Sequence, residues 1–347
     1  MKTYLSLWFL RQGGGAESQI LRHIEALRQH TKIQATIVCS KESTIEGQWI
    51  ERWSAASHVL HRGTFVSYLS RDHAIGSVRK LLQRGPWIAF ERTHPGFYEL
   101  QAKSSMVSCM KHFFQILAYR YLADGLLVQT ESAKLRWQEK LRTFPPEKIF
   151  VLPNIYDVQL EKQEKEIRRR IVMVGRLIPI KDYPLALEAF AILKTKIEFV
   201  VDIYGVGPEK TMLEKKAKDL GIGEIVNFRG FLTNKDEIYT GASLVLMTSH
   251  FEGSPNAIGE AMSYGLPVVT LDFDAGPRDL LGGLDRNQMI TSRNPEELAD
   301  LMLKQLSDPN RARNIGDENQ KKIAQEFSGE QFAKKFSNAL NSFLQSR

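Results

Sequence analysis

The sequence predicts an α/β protein built from two Rossmann-like βαβ domains, because short apolar runs alternate with helical patterns in both halves of the chain. The apolar runs Thr3 to Leu10 and Ile33 to Cys39 have the length of buried strands. Between them, Ile20, Ile24 and Leu27 recur on one face of a helix. A strand, a helix and a strand at this spacing form a βαβ unit with parallel strands.

The charged run Glu161 to Arg170 separates the two halves, and its dense mixed charge is typical of a solvated linker. Beyond it the alternation restarts with a strand at Ile171 to Val174 and a helix near Tyr183 to Leu193. A length of 347 residues also favours two domains. We expect an N-terminal domain over 1–155, a C-terminal domain over 156–325, and a final helix over 326–347 that crosses back to the first domain.

Further strands are predicted along both halves, each as a short apolar run bounded by turn residues. They are Trp87 to Phe90, Gly125 to Gln129, Lys148 to Leu152, Glu198 to Ile203, Val226 to Phe228, Leu244 to Met247 and Pro267 to Leu271. Open α/β sheets bind ligands at the carboxyl ends of their strands. Two facing sheets of this kind therefore predict a cleft between the domains.

The composition excludes several classes of protein. A hydrophobic fraction of 43% and a charged fraction of 25% are those of an ordinary soluble globular chain. Two cysteines, Cys39 and Cys109, are too few for a disulfide framework or a zinc site, and we expect both to be buried free thiols. There is no apolar run of about 18 residues, so no transmembrane helix is expected. The apolar N-terminus lacks a cleavage site and favours a first strand, hence a cytoplasmic protein.

The net charge of +7 is unevenly distributed. Residues 1–150 contain 21 Lys and Arg against 12 Asp and Glu, a net of +9, and the remainder has a net of −2. A basic half can attract nucleic acid, an anionic membrane surface or a phosphorylated ligand, or it can be a solvated basic surface. No nucleic-acid-binding motif accompanies the charge, so we expect no nucleic-acid partner.

A glycine loop, Gly13-Gly14-Gly15, lies between the first predicted strand and the first helix. Glycines there let the backbone approach a phosphate at the helix N-terminus, although a tight structural turn explains them equally well. Ser18 stands where a dinucleotide fingerprint requires a third glycine, which argues against a nicotinamide dehydrogenase.

The first predicted strand of the C-terminal domain ends in Gly175-Arg176-Leu177, and Lys181 follows five residues after Arg176. Arginine can bind a phosphate with two hydrogen bonds, and lysine adds a mobile point charge. This loop therefore suits a diphosphate, while the alternative is a pair of ordinary surface charges.

A second cluster, residues 251–260, follows the strand at Leu244 to Met247 and carries Glu252 and Glu260. Ser254 suits the N-cap of a helix and Pro255 its first residue, with Gly265 as the stop. Glu252 is then in the loop before the helix and Glu260 more than one turn inside it. Two carboxylates placed in this way can hold two sets of hydroxyl groups beside an anion.

Several motifs occur together in one order and resemble those of the retaining family-4 glycosyltransferases of the GT-B fold. The motifs are Gly175-Arg176-Leu177 with Lys181, Gly205-x-Gly207-Pro208, Arg229-Gly230-Phe231, Glu252-x7-Glu260, Gly265-Leu266-Pro267-Val268-Val269 and Gly276-Pro277-Arg278-Asp279-Leu280. The similarity covers about residues 170–285, with support from Gly14-Gly15-Ala16-Glu17 and Pro153-Asn154 in the first half.

This resemblance implies a role for each matching position. Arg176 and Lys181 would bind the diphosphate of a nucleotide-sugar and stabilise the leaving group in place of a metal. Glu260 would hold the ribose and Glu252 the donor sugar, while Gly14 and Gly15 would lie near phosphate and acceptor. The implied donor site comprises Gly14, Gly15, Arg176, Lys181, Arg229, Gly230, Phe231, Glu252, Gly253, Ser254, Pro255, Asn256 and Glu260, with the turn at 229–231 against the base. The implied catalytic residues are Arg176, Lys181, Glu252 and His94.

Three features depart from the family pattern or leave it ambiguous. Asp182 stands where the family often has glycine, and Asp279 replaces a more usual glutamate. The segment Glu91 to Pro95 resembles the region that often supplies an active-site histidine, and either Arg92 or His94 fits that place.

Asp272-Phe273-Asp274 matches a metal motif of another glycosyltransferase fold, but its context favours loop structure, so we expect no metal and no other cofactor.

The sequence thus predicts a retaining glycosyltransferase that uses a nucleotide-sugar, most readily a UDP-sugar. The acceptor implied by the resemblance is a glycan: a lipid-linked oligosaccharide, a lipopolysaccharide or a capsule precursor. A nucleotide-sugar epimerase of the same fold and a non-catalytic nucleotide-sugar-binding protein are the alternatives. The basic, apolar segment Lys103 to Tyr121 suggests peripheral contact with an anionic membrane surface, or else a buried domain helix.

Overall fold

The chain forms two compact units in the computed structural model, which describes residues 2–6, 15–40, 43, 48–68, 70–92, 95, 106–159, 169–273, 276–284 and 288–345. Unit 1 comprises Met1–Ile155 and Phe327–Arg347, and unit 2 comprises Tyr156–Glu326. Each unit contains one parallel sheet with helices between its strands. The predicted α/β class with two βα sheets is therefore confirmed. Most of the charged run predicted as a linker, residues 161–168, lies outside the described part.

The strands of the described residues form two sheets in which every pairing is parallel. They are β1 (Thr3–Ser6), β2 (Ala35–Ser40), β3 (Ile50–Trp53), β4 (Thr64–Ser67), β5 (Trp87–Glu91), β6 (Gly125–Val128), β7 (Ile149–Val151), β8 (Arg170–Val174), β9 (Val200–Tyr204), β10 (Val226–Gly230), β11 (Leu244–Met247), β12 (Val268–Leu271) and β13 (Met289–Ile290).

The helices of the described residues connect these strands, and two 3-10 turns, Pro146–Lys148 and Pro179–Lys181, supplement them. The helices are α1 (Gly15–His30), α2 (Ala55–Leu60), α3 (Ser70–Leu81), α4 (Met106–Leu122), α5 (Glu131–Lys140), α6 (Tyr183–Leu193), α7 (Lys210–Asp219), α8 (Lys235–Tyr239), α9 (Asn256–Ser263), α10 (Pro277–Leu281), α11 (Pro295–Ser307), α12 (Pro309–Glu326) and α13 (Gly329–Gln345).

The strand order of both sheets is that of a Rossmann fold. It runs β3-β2-β1-β4-β5-β6-β7 in unit 1 and β10-β9-β8-β11-β12-β13 in unit 2. In unit 2 the chain adds β9 and β10 on one side of β8 and then returns to place β11 on the other side. Such a reversal leaves a crevice at the carboxyl ends of the two central strands. The loops after β8 and β11 therefore end at the same edge of the sheet.

The last helix, α13, completes the core of unit 1. Phe332, Phe336 and Phe343 recur on one helical face and are all buried. They share a core with Ile20 and Leu27 of α1. Unit 1 is thus built from both ends of the chain, because the apolar face of α1 is covered by residues that follow unit 2 in sequence.

Some elements differ from the sequence prediction. The short strands β3, β4 and β13 were not predicted: β3 contains two charged residues, β4 begins and ends in a hydroxyl residue, and β13 has only two residues, so none is a clear apolar run. The first strand is described only as far as Ser6. Helix α1 begins at Gly15, the last residue of the glycine loop.

The prediction of two buried thiols is wrong for Cys109. Cys39 is buried in β2, but Cys109 is exposed because the first turns of α4 project into solvent. Phe113 and Phe114 are also exposed there, at 57% and 60%. Among the described helices, none combines the length and apolar character that crossing a bilayer requires.

A buried polar cluster supports the carboxyl ends of β4 and β5 in unit 1. The indole Nε1 of Trp87 donates to Ser67 Oγ at 2.8 Å, and Ser67 Oγ lies 2.7 Å from His73 Nδ1. The Ser67 oxygen therefore contacts both rings, as acceptor from the indole and as hydrogen-bond partner of the imidazole. Nε2 lies 3.8 Å from the carboxylate of Glu91. Burial lowers the pKa of His73 to about 3.

We expect unit 1 to lose stability as the pH falls below about 6.5, because His73 is then protonated in the unfolded chain but stays neutral in the folded one. Above about pH 6.5, His73 is neutral in both the folded and the unfolded chain and does not lower the free energy of unfolding. Between about pH 6.5 and pH 3 only the unfolded chain is protonated at this residue, so the free energy of unfolding falls by about 1.4 kcal/mol per pH unit. All five tryptophans precede residue 156, so urea unfolding followed by tryptophan fluorescence reports on unit 1.

The variant His73→Asn should reduce the loss of unfolding free energy between pH 7 and pH 5 by about 2 kcal/mol relative to the unmodified chain. His30→Asn, at the exposed end of α1, serves as the control and should leave the loss unchanged. An equal loss in His73→Asn and in the unmodified chain would contradict the assignment of a neutral buried imidazole.

Candidate functional site

The predicted diphosphate loop lies at the carboxyl end of β8, where glycine allows a lysine to cross the strand end. A Cβ on Gly175 would meet the Tyr183 hydroxyl at 3.2 Å and Lys181 Nζ at 3.4 Å. Tyr183 donates from its hydroxyl to the Gly175 carbonyl at 3.0 Å. Burial, and then the charge of Glu252, raises the pKa of Tyr183, so this hydroxyl keeps its proton and its role as donor. Lys181 is thereby directed toward the edge shared with β11.

Glu252 meets Lys181 at this edge as an ion pair between Nζ and Oε1. Ser249 also donates from Oγ to the same oxygen at 2.9 Å. The Lys181 and Glu252 side chains are 20% and 18% exposed, so both are accessible to a ligand although neither charge is unpaired. The structure therefore brings together two predicted site residues that are 71 positions apart in sequence.

Two backbone loops pack closely beside this pair. A Cβ on Gly205 would collide with the carbonyl oxygen of Gly175, and a Cβ on Gly207 would collide with the backbone of Leu177. The Leu177 amide donates to the Val206 carbonyl at 3.0 Å. Only glycine fits at these two positions, which explains the spacing of the Gly205-x-Gly207 motif. The Arg176 side chain is exposed here and forms no ion pair with the described residues.

Glu260 lies inside α9, held by two donors from α8. Tyr239 donates from its hydroxyl to Oε2 at 2.9 Å, and Lys235 Nζ donates to the same oxygen at 2.8 Å. Tyr239 is fully buried, and burial together with the charge and hydrogen bond of Glu260 raises its pKa well above the usual value. Oε1 accepts no hydrogen bond from the described residues, so its acceptor capacity is left for another donor.

The start of α9 corrects one detail of the sequence prediction. The N-cap is Pro255, not Ser254, and the first helical residue is Asn256. The Pro255 carbonyl accepts from the amides of Ile258 and Gly259, which places the cap one residue later. Gly265 ends the helix as predicted, with a φ of 68°. The Gly265 amide donates to the Met262 carbonyl and the Leu266 amide to the Ala261 carbonyl, as is usual after the C-terminus of a helix.

Gly253, Ser254 and Asn256 lie at the amino end of α9, between Glu252 and Glu260. Asn256 Oδ1 accepts from the Tyr156 hydroxyl at 3.3 Å. The ring of Tyr156 lies where a Cβ on Gly259 would be, so this tyrosine packs directly on the helix backbone. The first turn of α9 is consequently fixed against the segment that opens unit 2.

The predicted base-contacting turn, Arg229-Gly230-Phe231, lies at the carboxyl end of β10. Arg229 donates from Nε to Asp202 Oδ1 at 2.8 Å, and its guanidinium is engaged with this buried carboxylate. Gly230 has a φ of 75°, and its carbonyl accepts from the Gly205 amide at 2.7 Å. Phe231 is 58% exposed, which leaves an aromatic face at this edge of the sheet.

The remaining predicted residues belong to unit 1 or to the loop after β12. Gly15 is the first residue of α1, whereas Gly14 and His94 lie outside the described residues. Arg92, the alternative to His94, donates to Asn154 Oδ1 at 3.2 Å. Asp272 accepts from Arg278 at 2.5 and 3.0 Å, while Asp274 lies outside the described part. The part of the chain that the structure describes contains no cluster of three or more His, Cys, Asp or Glu side chains that could hold a metal.

Sequence reasoning missed the residues that hold the predicted ones in place. Lys235 and Tyr239 carry no motif, and their contact with Glu260 arises only when α8 packs beside α9. Arg293 follows β13 and donates to Asp182 Oδ2 from Nε and Nη2, at 3.2 and 2.8 Å. One signal was present, because Asp182 departs from the glycine that the family often has. Asp182 adopts left-handed backbone angles, φ 46° and ψ 51°, which cost a non-glycine residue about 1 kcal/mol.

Comparison with known proteins shows what this site resembles. Residues 157–322 match the family described as glycosyl transferases group 1. The chain is 24% identical over 319 residues to the poly(glycerol-phosphate) alpha-glucosyltransferase of Bacillus subtilis (strain 168), covering 91% of this chain and 46% of that protein. It is 26% identical over 220 residues to the poly(ribitol-phosphate) alpha-N-acetylglucosaminyltransferase of Staphylococcus aureus (strain COL), covering 63% and 44%. It spans less than half the length of these two relatives.

A solved structure shows the same fold across both units. Anabaena HepE in complex with UDP and glucose has a TM-score of 0.82 and 17% sequence identity to this chain, covering 99% of this chain and 100% of HepE. At that identity the likeness concerns the fold alone, and it confirms the GT-B class expected from the sequence. Residues 157–322, which lie within unit 2, are thus similar in sequence to the glycosyl transferases group 1 family.

Proposed function

We propose that this chain is a glycosyltransferase that moves a sugar from a UDP-sugar to a glycan acceptor with retention of anomeric configuration. The observation that carries the proposal is the ion pair of Lys181 with Glu252 at the sheet edge, followed by Glu260 on the next helix, all within the residues that match the family. These three side chains supply a cation for a diphosphate and two carboxylates for hydroxyl groups.

The diphosphate would bind to Arg176 and Lys181. In the free protein, Glu252 balances the charge of Lys181. A diphosphate offers Lys181 a competing anion, and its binding would release Glu252 to accept hydrogen bonds from the donor sugar. As the bond to the sugar breaks, negative charge grows on the leaving diphosphate, and cations fixed beside it stabilise that charge. We propose that these residues do so without a metal or other cofactor.

The rest of the donor would lie along the same edge. Glu260 Oε1 would accept from the ribose hydroxyls while Tyr239 and Lys235 hold Oε2. The backbone N–H groups of Gly253, Ser254 and Asn256, at the start of α9, suit an anion at a helix N-terminus. Arg229, Gly230 and Phe231 would contact the base. In unit 1, we assign Gly14 and Gly15 to the phosphate and acceptor, and His94 or Arg92 to the active-site position.

Two features of the relatives support the choice of donor and stereochemistry. HepE was solved with UDP and glucose, and the two curated relatives are named as alpha-glucosyl and alpha-N-acetylglucosaminyl transferases. In UDP-glucose and UDP-N-acetylglucosamine the sugar is α-linked, so an α-linked product requires retention. A hexosyl or N-acetylhexosaminyl group is therefore the sugar that we propose to be transferred.

The acceptor would be recognised by unit 1, where residues 1–150 have a net charge of +9. The two curated relatives are named for polyol-phosphate acceptors, which are polyanions. A basic surface suits such a polymer and also a lipid-linked oligosaccharide, lipopolysaccharide or capsule precursor presented at an anionic membrane. We propose an acceptor of this anionic, membrane-associated class.

Helix α4 supplies the surface for peripheral membrane contact. Five apolar residues along one face of its first turns are between 53% and 79% exposed: Met106, Val107, Met110, Phe113 and Phe114. Lys111 is exposed among them. An apolar face with adjacent basic residues is the pattern of a helix that lies in a membrane interface. We propose that α4 rests on the inner face of the cell membrane.

Replacing Lys181 by alanine should lower the rate of sugar transfer on the order of 10²–10³-fold, because one charge-assisted contact to the leaving diphosphate is lost. The same is expected for Arg176→Ala. The measurement is UDP release from a panel of UDP-sugars in the presence of polyol-phosphate and glycan acceptors. Lys216→Ala, which removes a surface ion pair with Glu188 in the same unit, is the control and should retain the original rate.

Three results of that assay would count against the proposal. Near-normal turnover in Lys181→Ala would remove the assignment of the diphosphate site. Interconversion of UDP-sugars without acceptor would identify an epimerase, and UDP-sugar binding without any turnover would identify a binding protein. Strong inhibition by a chelator, reversed by a divalent cation, would contradict the metal-independent mechanism.

Replacing Phe113 and Phe114 together by serine should weaken binding to vesicles that contain phosphatidylglycerol by about tenfold or more, because two large apolar side chains no longer enter the interface. Cosedimentation at low salt measures the bound fraction. Binding of the unmodified chain should fall when salt is raised, since each basic residue contributes about 1 kcal/mol that salt screens.

Leu135→Ser on α5 is the matched control, because Leu135 is as exposed as Phe114 but lies outside α4. It should bind vesicles as the unmodified chain does. Equally weak binding of the unmodified chain to anionic and to neutral phosphatidylcholine vesicles at low salt would exclude the membrane contact and favour a soluble acceptor.

A further inference from the structure

The residue that follows Lys181 is fastened by an arginine from a distant part of unit 2. Asp182 accepts from Nε and Nη2 of Arg293, which lies just before α11. The same Nη2 donates to the backbone carbonyl of Thr248 at 2.6 Å. Arg293 therefore joins the loop that follows β8 to the segment that follows β11, although it belongs to neither.

Direct contacts between these two segments continue the connection. The Thr248 hydroxyl lies 2.9 Å from the carbonyl oxygens of both Lys181 and Asp182 and donates toward them. The His250 amide donates to the Ile180 carbonyl at 2.8 Å, and His250 Nε2 lies 3.3 Å from Asp182 Oδ2. Residues 180–182 are thus held against 248–250 through both backbone and side chains.

The fastened segments are the ones that carry the Lys181–Glu252 pair. Lys181 lies within the first segment, and Glu252 follows the second by two residues, with Ser249 donating to its carboxylate. The distance between Nζ and the carboxylate depends on how the two segments are aligned. The Arg293 and Asp182 side chains are 32% and 20% exposed, and two hydrogen bonds from the guanidinium to the carboxylate hold them in one geometry.

The contact with Arg293 explains why an aspartate occupies a position with a left-handed backbone. Glycine would adopt φ 46° without strain, but it has no carboxylate for Arg293. The chain instead keeps an aspartate, a residue that tolerates this region better than most. The strained backbone and the Arg293 contact therefore occur together at the residue adjoining Lys181.

We propose that Arg293 is a positioning residue for the transfer reaction, which acts through Asp182 and Thr248 to align Lys181 with Glu252. This inference rests on the proposed function, because the effect of the alignment is measured as the rate of sugar transfer. Arg293 contacts Asp182 and the carbonyls of Thr248 and Ser249. Its loss should leave donor affinity largely intact and reduce the chemical step, where small misplacement of a charged group is costly.

The test compares Arg293→Met, Arg293→Lys and Asp182→Gly with Lys196→Met, which removes an exposed ion pair to Asp300 on α11. Arg293→Met should lower kcat between about 10-fold and 10²-fold with KM for the UDP-sugar changed less than about threefold. Arg293→Lys should recover part of the rate, because it keeps a cation beside Asp182. Lys196→Met should keep the original kcat.

A double variant separates a shared contact from two independent ones. If Arg293 acts through Asp182, Arg293→Met combined with Asp182→Gly should lose no more rate than the worse single variant. Loss factors that multiply in the double variant would show that the two residues act separately and would overturn the proposal. So would a kcat of Arg293→Met within twofold of the unmodified chain.

Amide hydrogen exchange gives a readout that does not depend on turnover. Peptides covering 176–182 and 248–252 should exchange faster in Arg293→Met and Asp182→Gly than in Lys196→Met. Unchanged exchange in both segments would overturn the proposed fastening. If the unmodified chain transfers no sugar from any donor, the proposed function fails, and the exchange comparison alone decides whether Arg293 holds the Lys181 segment.

Discussion

The adjacency of β8 and β11 is the constraint on which the candidate site depends. The chain forms β9 and β10 before it returns to pair β11 with β8, so residues 71 positions apart reach the same edge. All strands of the sheet are parallel, and their carboxyl ends therefore face one way. Had β11 paired in the opposite direction, Glu252 would follow the far end of its strand and could not meet Lys181.

Several charged side chains of the candidate site are paired before any ligand arrives, whereas Arg176 forms no ion pair with the described residues. Glu252 pairs with Lys181, Glu260 with Lys235, and Asp202 with both Arg229 and Arg170. A folded site with matched charges avoids the repulsion and desolvation that isolated buried charges would impose. An incoming anion then exchanges one partner for another, so specificity would depend on how well its own oxygens replace those of the carboxylates.

The parts of the structure that sequence predicted are those encoded locally. The runs at 171–174 and 244–247 were recognised as strands, and Gly265 as a helix stop, because each depends on residues next to one another. Motifs that resemble a known family then indicated which strand ends carry the site.

The parts that sequence did not predict arise from contacts between distant elements. Tyr239 and Arg293 have no local pattern, and their roles appear only when α8 and the segment before α11 pack beside the site. Cys109 was misjudged for a related reason. An apolar run has the same composition whether it faces a core or solvent, and only the packing of α4 distinguishes the two.

The position of α13 has a consequence for the order in which the chain acquires its structure. Phe332, Phe336 and Phe343 complete the core of unit 1, yet they follow all of unit 2 in sequence. During synthesis on the ribosome, residues 1–155 emerge with the apolar face of α1 uncovered. Unit 2 is contiguous and has every residue of its core before α13 exists. Unit 2 can therefore fold before unit 1 has the helix that completes its core.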